Sequence, residues 1–241
     1  MAEYTSKLNE FDTQSAIALV KERFASELCD KLNLSRVSAP LFVEMGSGLN
    51  DDLNGVERPV SFDILETGVV GEVVHSLAKW KRMALLKYGF PMHTGLYTDM
   101  NAIRRDDDVD NLHSVFVDQW DWEAVITQND RNLEFLKSVV CKIANAIYET
   151  KQILNDSYPQ LGGMVEKEVF FITTQELEDM YPDKTAKERE NAITNLHKTV
   201  FIMQIGGALR SGNRHDGRAP DYDDWTLNGD LFIWDDTLDC A

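Results

Sequence analysis

The sequence is poor in basic residues and in cysteine, and each shortage excludes a class of protein. Only 24 lysines and arginines oppose 41 acidic residues among 241, which gives a formal net charge of −17. Because a protein that binds a nucleic-acid backbone needs a basic face, we expect no nucleic-acid partner. The three cysteines, Cys29, Cys141 and Cys240, are too few and too widely spaced for a disulfide framework or a metal knuckle.

Long apolar runs and standard nucleotide-binding loops are missing as well. No apolar run approaches the ~18 residues that a membrane-spanning helix needs, and the first residues lack the apolar centre of a secretory signal peptide. We therefore expect no membrane partner and a cytoplasmic location. There is no Walker loop and no GxGxxG motif. A small anionic substrate must then be captured by a few individually placed cations in a pocket.

The length and the hydrophobic pattern predict one large α+β domain, residues 1–241, with a mostly antiparallel sheet flanked by helices. Apolar residues recur at intervals close to 3.6 over 11–32, which predicts an amphipathic helix, and 35–43 reads as an extended segment. The spacing Thr185-x-x-Glu188 predicts a capping box at the start of another helix. Further helices are predicted at 77–88, 129–154 and 173–180, and strands at 59–65, 72–76, 96–104, 114–126, 169–172, 199–205 and 229–234.

Charged residues are dense in the predicted hairpin 96–123. Because side chains alternate along a strand, Gln119, Asp121 and Glu123 share one face. Two carboxylates and an amide are costly to bury without partners, so they could bind an ammonium group. Arg104, at the end of the first strand, could then bind a carboxylate or a phosphate. The alternative is a solvated hairpin face with ordinary cross-strand charge pairs.

The segment 75–82 turns from a predicted strand into a helix and carries three cations, Lys79, Lys81 and Arg82. Cations near a helix N-terminus oppose the macrodipole, which indicates a nearby anion, and Lys81 could point inward. The alternative is a basic, solvated helix face. His75 by itself is typical of a satisfied interior histidine, and Asp51, in a Gly-rich loop, is typical of a turn.

The run from His215 to Trp225 combines one arginine with four carboxylates, two aromatics and two turn residues. This composition is poor for a core and suits a phosphate held beside a magnesium ion. Arg218 is the candidate phosphate ligand. Asp223, Asp224 and Asp230 supply the hard oxygen ligands that Mg²⁺ takes.

Several of these segments, in this order, closely resemble the ammonia-dependent asparagine synthetases, the aspartate–ammonia ligase family. The resemblance covers nearly the whole chain. It is carried by Glu72-Val-Val-His-Ser-Leu-Ala-Lys-Trp-Lys-Arg82, Gly95-Leu-Tyr-Thr98, His113-Ser-Val-Phe-Val-Asp-Gln-Trp-Asp-Trp-Glu123, Arg214-His-Asp-Gly-Arg-Ala-Pro-Asp-Tyr-Asp-Asp-Trp225 and Leu227-Asn-Gly-Asp230.

The resemblance implies a fold like the catalytic domain of class II aminoacyl-tRNA synthetases, assembled as a homodimer. It implies that aspartate reacts with ATP and Mg²⁺ to give β-aspartyl-AMP and pyrophosphate, after which ammonia releases asparagine and AMP. By the same resemblance the catalytic residues are Arg104, Lys81 and Asp51, where Asp51 helps to orient ammonia. Gln119, Asp121, Ser76 and Ser114 bind the substrate, Arg218 and Asp223 bind the nucleotide, and Asp230 binds magnesium.

The family continues beyond the position of Ala241, through a Phe-Glu-Leu-Ser-Ser-Met-Gly-Ile-Arg segment and a Gly-rich third motif. The resemblance therefore implies a fold that is incomplete at the C-terminus, and we expect ligation by this chain to be impaired. Two other interpretations stay open. One is a class II synthetase paralogue that charges tRNA, which the acidic charge disfavours. The other is a non-catalytic, dimerising protein that binds aspartate or nucleotide.

Overall fold

The computed structural model describes residues 5–51, 53, 57–110, 113–219 and 222–241. The helices are α1 (Glu10–Leu32), α2 (Ala78–Tyr88), α3 (Leu133–Ser157), α4 (Thr174–Met180) and α5 (Ala186–His197). The strands are β1 (Leu34–Arg36), β2 (Phe42–Glu44), β3 (Ser61–Asp63), β4 (Val70–Val73), β5 (Gly95–Ile103), β6 (Phe116–Ala124), β7 (Phe170–Thr173), β8 (Thr199–Met203) and β9 (Gly229–Ile233). Within these ranges no helix has the length and apolar character needed to cross a membrane.

The described residues divide into two compact units. The first, which we call the helical unit, comprises the described parts of Met1–Leu32, Arg131–Asp216 and Trp225–Ala241. The second, the hairpin unit, comprises those of Asn33–Asp130 and Gly217–Asp224. Each unit has its own buried apolar cluster. The single domain expected from the sequence stays a prediction.

In the helical unit, α1 packs along α3, and a three-stranded sheet carries the rest of the core. β8 pairs in parallel with β7 and antiparallel with β9. All five residues of β8 are buried, as a strand with neighbours on both edges and both faces requires. The surrounding apolar cluster includes Leu177 of α4 and Ile193 of α5.

The hairpin unit contains two three-stranded sheets, β1-β5-β6 and β2-β4-β3. β5 and β6 are antiparallel, in a register that runs from Gly95 opposite Ala124 to Ile103 opposite Phe116. A Cβ atom at Gly95 would lie 2.3 Å from the Glu123 carbonyl oxygen. Only glycine therefore fits at Gly95, where β1, β5 and β6 meet. The face of β5 that carries Leu96, Thr98 and Met100 is buried, and these residues lie opposite the polar face of β6.

The α+β architecture with mainly antiparallel pairing is confirmed. The helix predicted at 11–32 is α1, and the Thr185 capping box is present at the start of α5. The long helix begins at Leu133 rather than near 129, because Asn132 caps it by accepting a hydrogen bond from the Phe135 amide. The predicted extended segment at 35–43 overlaps β1 at its start and β2 at its end. These two short strands belong to different sheets.

Candidate active site

The N-terminus of α2 is capped by Asp51, from a loop far upstream. One carboxylate oxygen of Asp51 accepts a hydrogen bond from the Ala78 amide at 2.7 Å, and the other accepts from the Lys79 amide at 3.4 Å. Leu77, at the N-cap position itself, supplies no side-chain hydrogen bond. Asp51 is fully buried. Its carboxylate accepts hydrogen bonds from amides that the helix leaves open and interacts favourably with the helix dipole, a role that its loop position alone did not reveal.

Lys81 of α2 forms a buried ion pair with Asp121 of β6. The Lys81 ammonium donates to Asp121 Oδ1 and, at 2.9 Å, to the Trp122 carbonyl oxygen. Glu123 Oε2 lies 3.7 Å from the same nitrogen. Lys81 is 6% exposed and Asp121 is 7% exposed, so a solvated helix face is wrong for Lys81 and a solvated hairpin face is wrong for Asp121. Within the described residues Asp121 Oδ2 has no hydrogen-bond partner, which leaves one buried acceptor open.

Glu123 lies between two cations of α2. Its Oε1 lies 3.6 Å from Arg82 Nε, in addition to the contact with Lys81. Burial raises the pKa of the Glu123 carboxyl, and Asp121 also raises it, whereas Lys81 and Arg82 lower it. Arg82 Nη2 also donates to the Tyr222 carbonyl oxygen at 2.9 Å. Arg82 thus joins β6 to the segment 217–224 of the same unit, a positioning role that no sequence pattern predicts.

Arg104 and His75 meet at the end of β5. The Arg104 amide donates to the Val115 carbonyl oxygen at 2.9 Å, which closes the hairpin. Arg104 Nη2 lies 3.5 Å from the His75 carbonyl oxygen, while Arg104 Nε is buried and has no partner in the described part of the chain. His75 is 1% exposed, and its Nε2 likewise has no partner there. The interpretation of His75 as an interior histidine is confirmed, but the expectation that it is satisfied is wrong for Nε2.

The other predicted substrate-binding residues are distributed along the same unit. Gln119 lies opposite Met100 in the register and is half-buried, on the face of β6 that carries Asp121 and Glu123. The alternation predicted for this strand is therefore confirmed. Ser76 Oγ accepts from the Ala78 amide at 3.4 Å, beside the Asp51 cap. Ser114 is exposed on the return of the hairpin.

The predicted nucleotide and magnesium residues belong to different units. Arg218 and Asp223 are half-buried in the hairpin unit, and Arg218 Nη1 donates to the Gly217 carbonyl oxygen at 2.9 Å. Pro220, a turn residue of this predicted motif, lies outside the described residues, as does Asp221. Asp230 lies on β9 of the helical unit, opposite Ile202 of β8.

The fold matches that of solved asparaginyl-tRNA synthetases. The Entamoeba histolytica enzyme in complex with asparaginyl-adenylate aligns with a TM-score of 0.56 over 92% of this chain and 49% of that chain, at 11% identity. The Pyrococcus horikoshii enzyme, also complexed with asparaginyl-adenylate, aligns with a TM-score of 0.54 over 78% and 44%, at 13% identity. This chain thus spans about half the length of these structures. The fold is that of a class II aminoacyl-tRNA synthetase catalytic domain, as predicted.

Sequence comparison narrows this class to one family. The family model described as aspartate-ammonia ligase matches residues 11–241. An aspartate–ammonia ligase of Clostridium tetani is 58% identical over 240 residues, which cover 99% of this chain and 70% of the relative. One of Lactiplantibacillus plantarum is 56% identical over 99% of this chain and 74% of the relative. The chain belongs to the aspartate–ammonia ligase family, which confirms the predicted ligase class.

Proposed function

We propose that this chain joins ammonia to the β-carboxylate of L-aspartate and uses ATP to activate that carboxylate. The observation that carries the proposal is the set of buried polar atoms without a partner in the described hairpin unit. Asp121 Oδ2 is a free acceptor beside the Lys81 ion pair, and Arg104 Nε is a free donor. Buried polar groups are normally paired, so an open acceptor and an open donor suit a ligand that carries both an ammonium and a carboxylate.

The amino-acid substrate fits these atoms in one orientation. Asp121 Oδ2 and the side-chain amide oxygen of Gln119 would accept hydrogen bonds from the α-ammonium group of aspartate, with Ser76 and Ser114 as further polar contacts. Arg104 would lie between the β-carboxylate and the α-phosphate of ATP, because a guanidinium can hold two anionic groups at once. Lys81, held by Asp121 and the Trp122 carbonyl oxygen, would line the reacting end. Asp51 caps the start of α2 and would thereby hold Lys81 in position at the reacting end. It would also help to orient ammonia there.

The nucleotide would be bound by the segment that carries Arg218 and Asp223. Within the described residues no group of three or more His, Cys, Asp or Glu side chains is arranged to hold a metal ion. A magnesium ion that accompanies a nucleotide uses one or two carboxylates together with phosphate oxygens and water. The single carboxylate of Asp230 fits that donor set. Bound Mg²⁺ neutralises charge on the phosphate oxygens.

The proposed reaction has two steps. A β-carboxylate oxygen of aspartate attacks the α-phosphorus of ATP, and pyrophosphate leaves to give β-aspartyl-AMP. The lone pair of ammonia then attacks the activated carbonyl carbon, and AMP leaves with the electrons of the C–O bond. Most of the acceleration would come from positioning and from the neutralisation of charge by Arg104 and Lys81.

We further propose a cytoplasmic homodimer. Exposed apolar side chains on α1, such as Phe11 and Ile17, are consistent with a partner surface.

The test is to incubate the purified chain with ATP, Mg²⁺, L-aspartate and ¹⁵N-ammonium and to quantify ¹⁵N-asparagine and AMP by mass spectrometry. The Clostridium tetani relative serves as the active reference. We expect equal amounts of asparagine and AMP, and an aspartate-dependent exchange of pyrophosphate into ATP. Addition of tRNA should change neither amount. Failure to form product, with a non-hydrolysable β-aspartyl-adenylate analogue still bound, would identify the chain as a binding protein and contradict the proposal.

A further inference from the structure

His75 is a buried titratable residue for which the proposed reaction has no role so far. Its backbone is held from two sides. The His75 amide donates to Asn50 Oδ1 at 3.0 Å, and its carbonyl oxygen faces Arg104 Nη2 at 3.5 Å. Asn50 Nδ2 also approaches the Val73 carbonyl oxygen at 3.4 Å. The corner between β4 and α2 is therefore fixed by a loop on one side and by the end of β5 on the other.

One ring nitrogen of His75 has no matching partner in the described part of the chain. Nε2 is buried and makes no hydrogen bond within the described residues. An unsatisfied polar atom of this kind is destabilising, and the pairing of such atoms is close to a rule in folded proteins. A fixed backbone with an open ring nitrogen is the arrangement of a group that acquires its partner when a ligand binds.

The second step of the proposed reaction needs a proton acceptor. Ammonia is mainly ammonium at neutral pH, and ammonium has no lone pair with which to attack a carbonyl. Asp121 Oδ2 is also open among the described residues, but the proposed function assigns it to the α-ammonium group of aspartate. The neighbouring carboxylates of Asp51 and Glu123 are already engaged. Both carboxylate oxygens of Asp51 accept hydrogen bonds from backbone amides of α2. The Glu123 oxygens face Lys81 and Arg82. Arginine and protonated lysine cannot accept a proton. A neutral imidazole is the side chain best suited to this transfer near neutral pH.

We propose that His75 Nε2 accepts a proton from ammonium in the second step, which makes His75 a catalytic residue of the ammonia-dependent half of the reaction. The inference rests on the proposed function. The N–H bond of ammonium breaks and its electrons stay on nitrogen, while the proton forms the Nε2–H bond of an imidazolium. The freed ammonia attacks β-aspartyl-AMP and AMP leaves. The new amide nitrogen loses its extra proton to solvent, and His75 then returns its own proton to solvent.

The experiment separates the two halves of the reaction in a His75→Gln variant. Aspartate-dependent exchange of pyrophosphate into ATP reports the first half. The second half is measured with ammonium and, in parallel, with hydroxylamine, which is largely unprotonated at neutral pH. We expect the variant to keep the exchange rate within about twofold and to lose about 100-fold or more in asparagine formation, in line with the 10²–10⁴-fold contribution of a general base. Hydroxamate formation should persist. Alkaline pH, which supplies free ammonia, should restore part of the ammonium reaction.

The controls make each outcome decisive. His93→Gln changes an exposed histidine of the same unit that pairs with Asp130, and it should leave both halves unchanged. A His75→Gln variant that keeps the ammonium reaction would overturn the inference, as would one that loses exchange and hydroxamate formation together with it. An unmutated chain that makes no asparagine would overturn the proposed function instead.

A second measurement does not depend on turnover or on a variant. The ring nitrogens of His75 can be followed by ¹⁵N NMR in the chain bound to a sulfamoyl analogue of β-aspartyl-AMP. Addition of ammonium chloride should move the Nε2 resonance toward the protonated position. An Nε2 resonance that ignores ammonium would count against the transfer.

Discussion

Among the described residues, each unit contains a deeply buried pair of a lysine or arginine with a carboxylate, and the two pairs differ in how completely they are satisfied. In the hairpin unit, Lys81 and Asp121 pair with 6% and 7% of their surfaces exposed; in the helical unit, Arg189 and Glu178 pair with 8% and 6% exposed. Burial therefore does not distinguish them. Glu178 accepts from Ser211 Oγ at 2.7 Å as well as from Arg189, whereas Asp121 keeps one oxygen without a partner among the described residues.

We interpret the difference as that between a pair that holds the fold and a pair at the proposed substrate site. Arg189 also donates to the carbonyl oxygens of Tyr181 and Pro182, at 3.0 and 3.2 Å, which fixes the connection between α4 and α5. A fully satisfied polar network makes its segment rigid. Around the Lys81 pair, by contrast, atoms of Asp121, Arg104 and His75 have no partner among the described residues. The helical unit also holds such atoms, on Asn145, Asn155, Thr194 and His215, but none of them belongs to the Arg189 pair. Stability is therefore expected to depend more on the Arg189–Glu178 pair, and activity on the Lys81–Asp121 pair.

The largest expected effect is on stability, from Arg189→Met. The substitution leaves the Glu178 carboxylate buried without its guanidinium, and breaking a buried pair in this way costs about 3–5 kcal/mol of unfolding free energy. Urea denaturation followed by circular dichroism measures the loss. Below the transition, affinity for the β-aspartyl-adenylate analogue should stay within about twofold. A stable variant that no longer binds the analogue would contradict the assignment of this pair to structure.

The corresponding test of the open atoms beside the Lys81 pair is Arg104→Lys, and its expected effect is on activity. Lysine keeps the charge but loses the planar fork that can bind two anions. Removal of one preorganised donor of this kind lowers turnover by about 10²–10³-fold. Arg104 makes one side-chain hydrogen bond within the described residues, to the His75 carbonyl oxygen at 3.5 Å, so the urea midpoint should hardly move. Steady-state rates and urea denaturation of the same preparation test both expectations. A large loss of stability with unchanged turnover would contradict the assignment of Arg104 to activity.

The sequence predicts correctly those interactions whose residues are close along the chain, and it does not predict those whose residues are far apart. The capping box of Thr185 and Glu188 spans three residues and was predicted correctly. The face shared by Gln119, Asp121 and Glu123 follows from strand alternation alone. The cap of α2 joins Asp51 to an amide 27 residues away, and no local pattern announces a partner at that distance.

Burial and the open atoms were also beyond local reasoning. Trp80 and Lys81 are adjacent on α2 and both are buried, so helical periodicity could not decide which way Lys81 points. Asn50 and Arg104 both contact the backbone of His75 and leave its Nε2 open among the described residues. No sequence pattern predicts that combination. Phosphate binding by Arg218 is predicted from the composition of its segment and implied by the family resemblance, and it stays a prediction.

The smallest expected effect concerns pH, and it has opposite signs in the two units. Burial raises the pKa of Glu123 in the hairpin unit, so the folded state binds that proton more tightly than the unfolded chain does. Ionisation of Glu123 then costs stability as the pH rises above the ordinary value of 4.5. The hydrogen bond from Lys31 lowers the pKa of Glu149 in the helical unit. Glu149 therefore stabilises the fold above its ordinary value, and that contribution is lost as the pH falls.

Glutamine at each position removes the titration without changing the shape of the side chain. We expect Glu123→Gln to be slightly more stable than the unmodified chain at neutral pH and equal to it in acid. Glu149→Gln should be slightly less stable at neutral pH, again with no difference in acid. Urea midpoints at low protein concentration suit the measurement, because the isoelectric point near 4.6 favours precipitation in the acid range. A Glu123→Gln variant that is less stable at neutral pH would mean that attraction to Lys81 and Arg82 outweighs burial. The charge of Glu123 would then stabilise the hairpin unit, as the charge of Glu149 stabilises the helical unit.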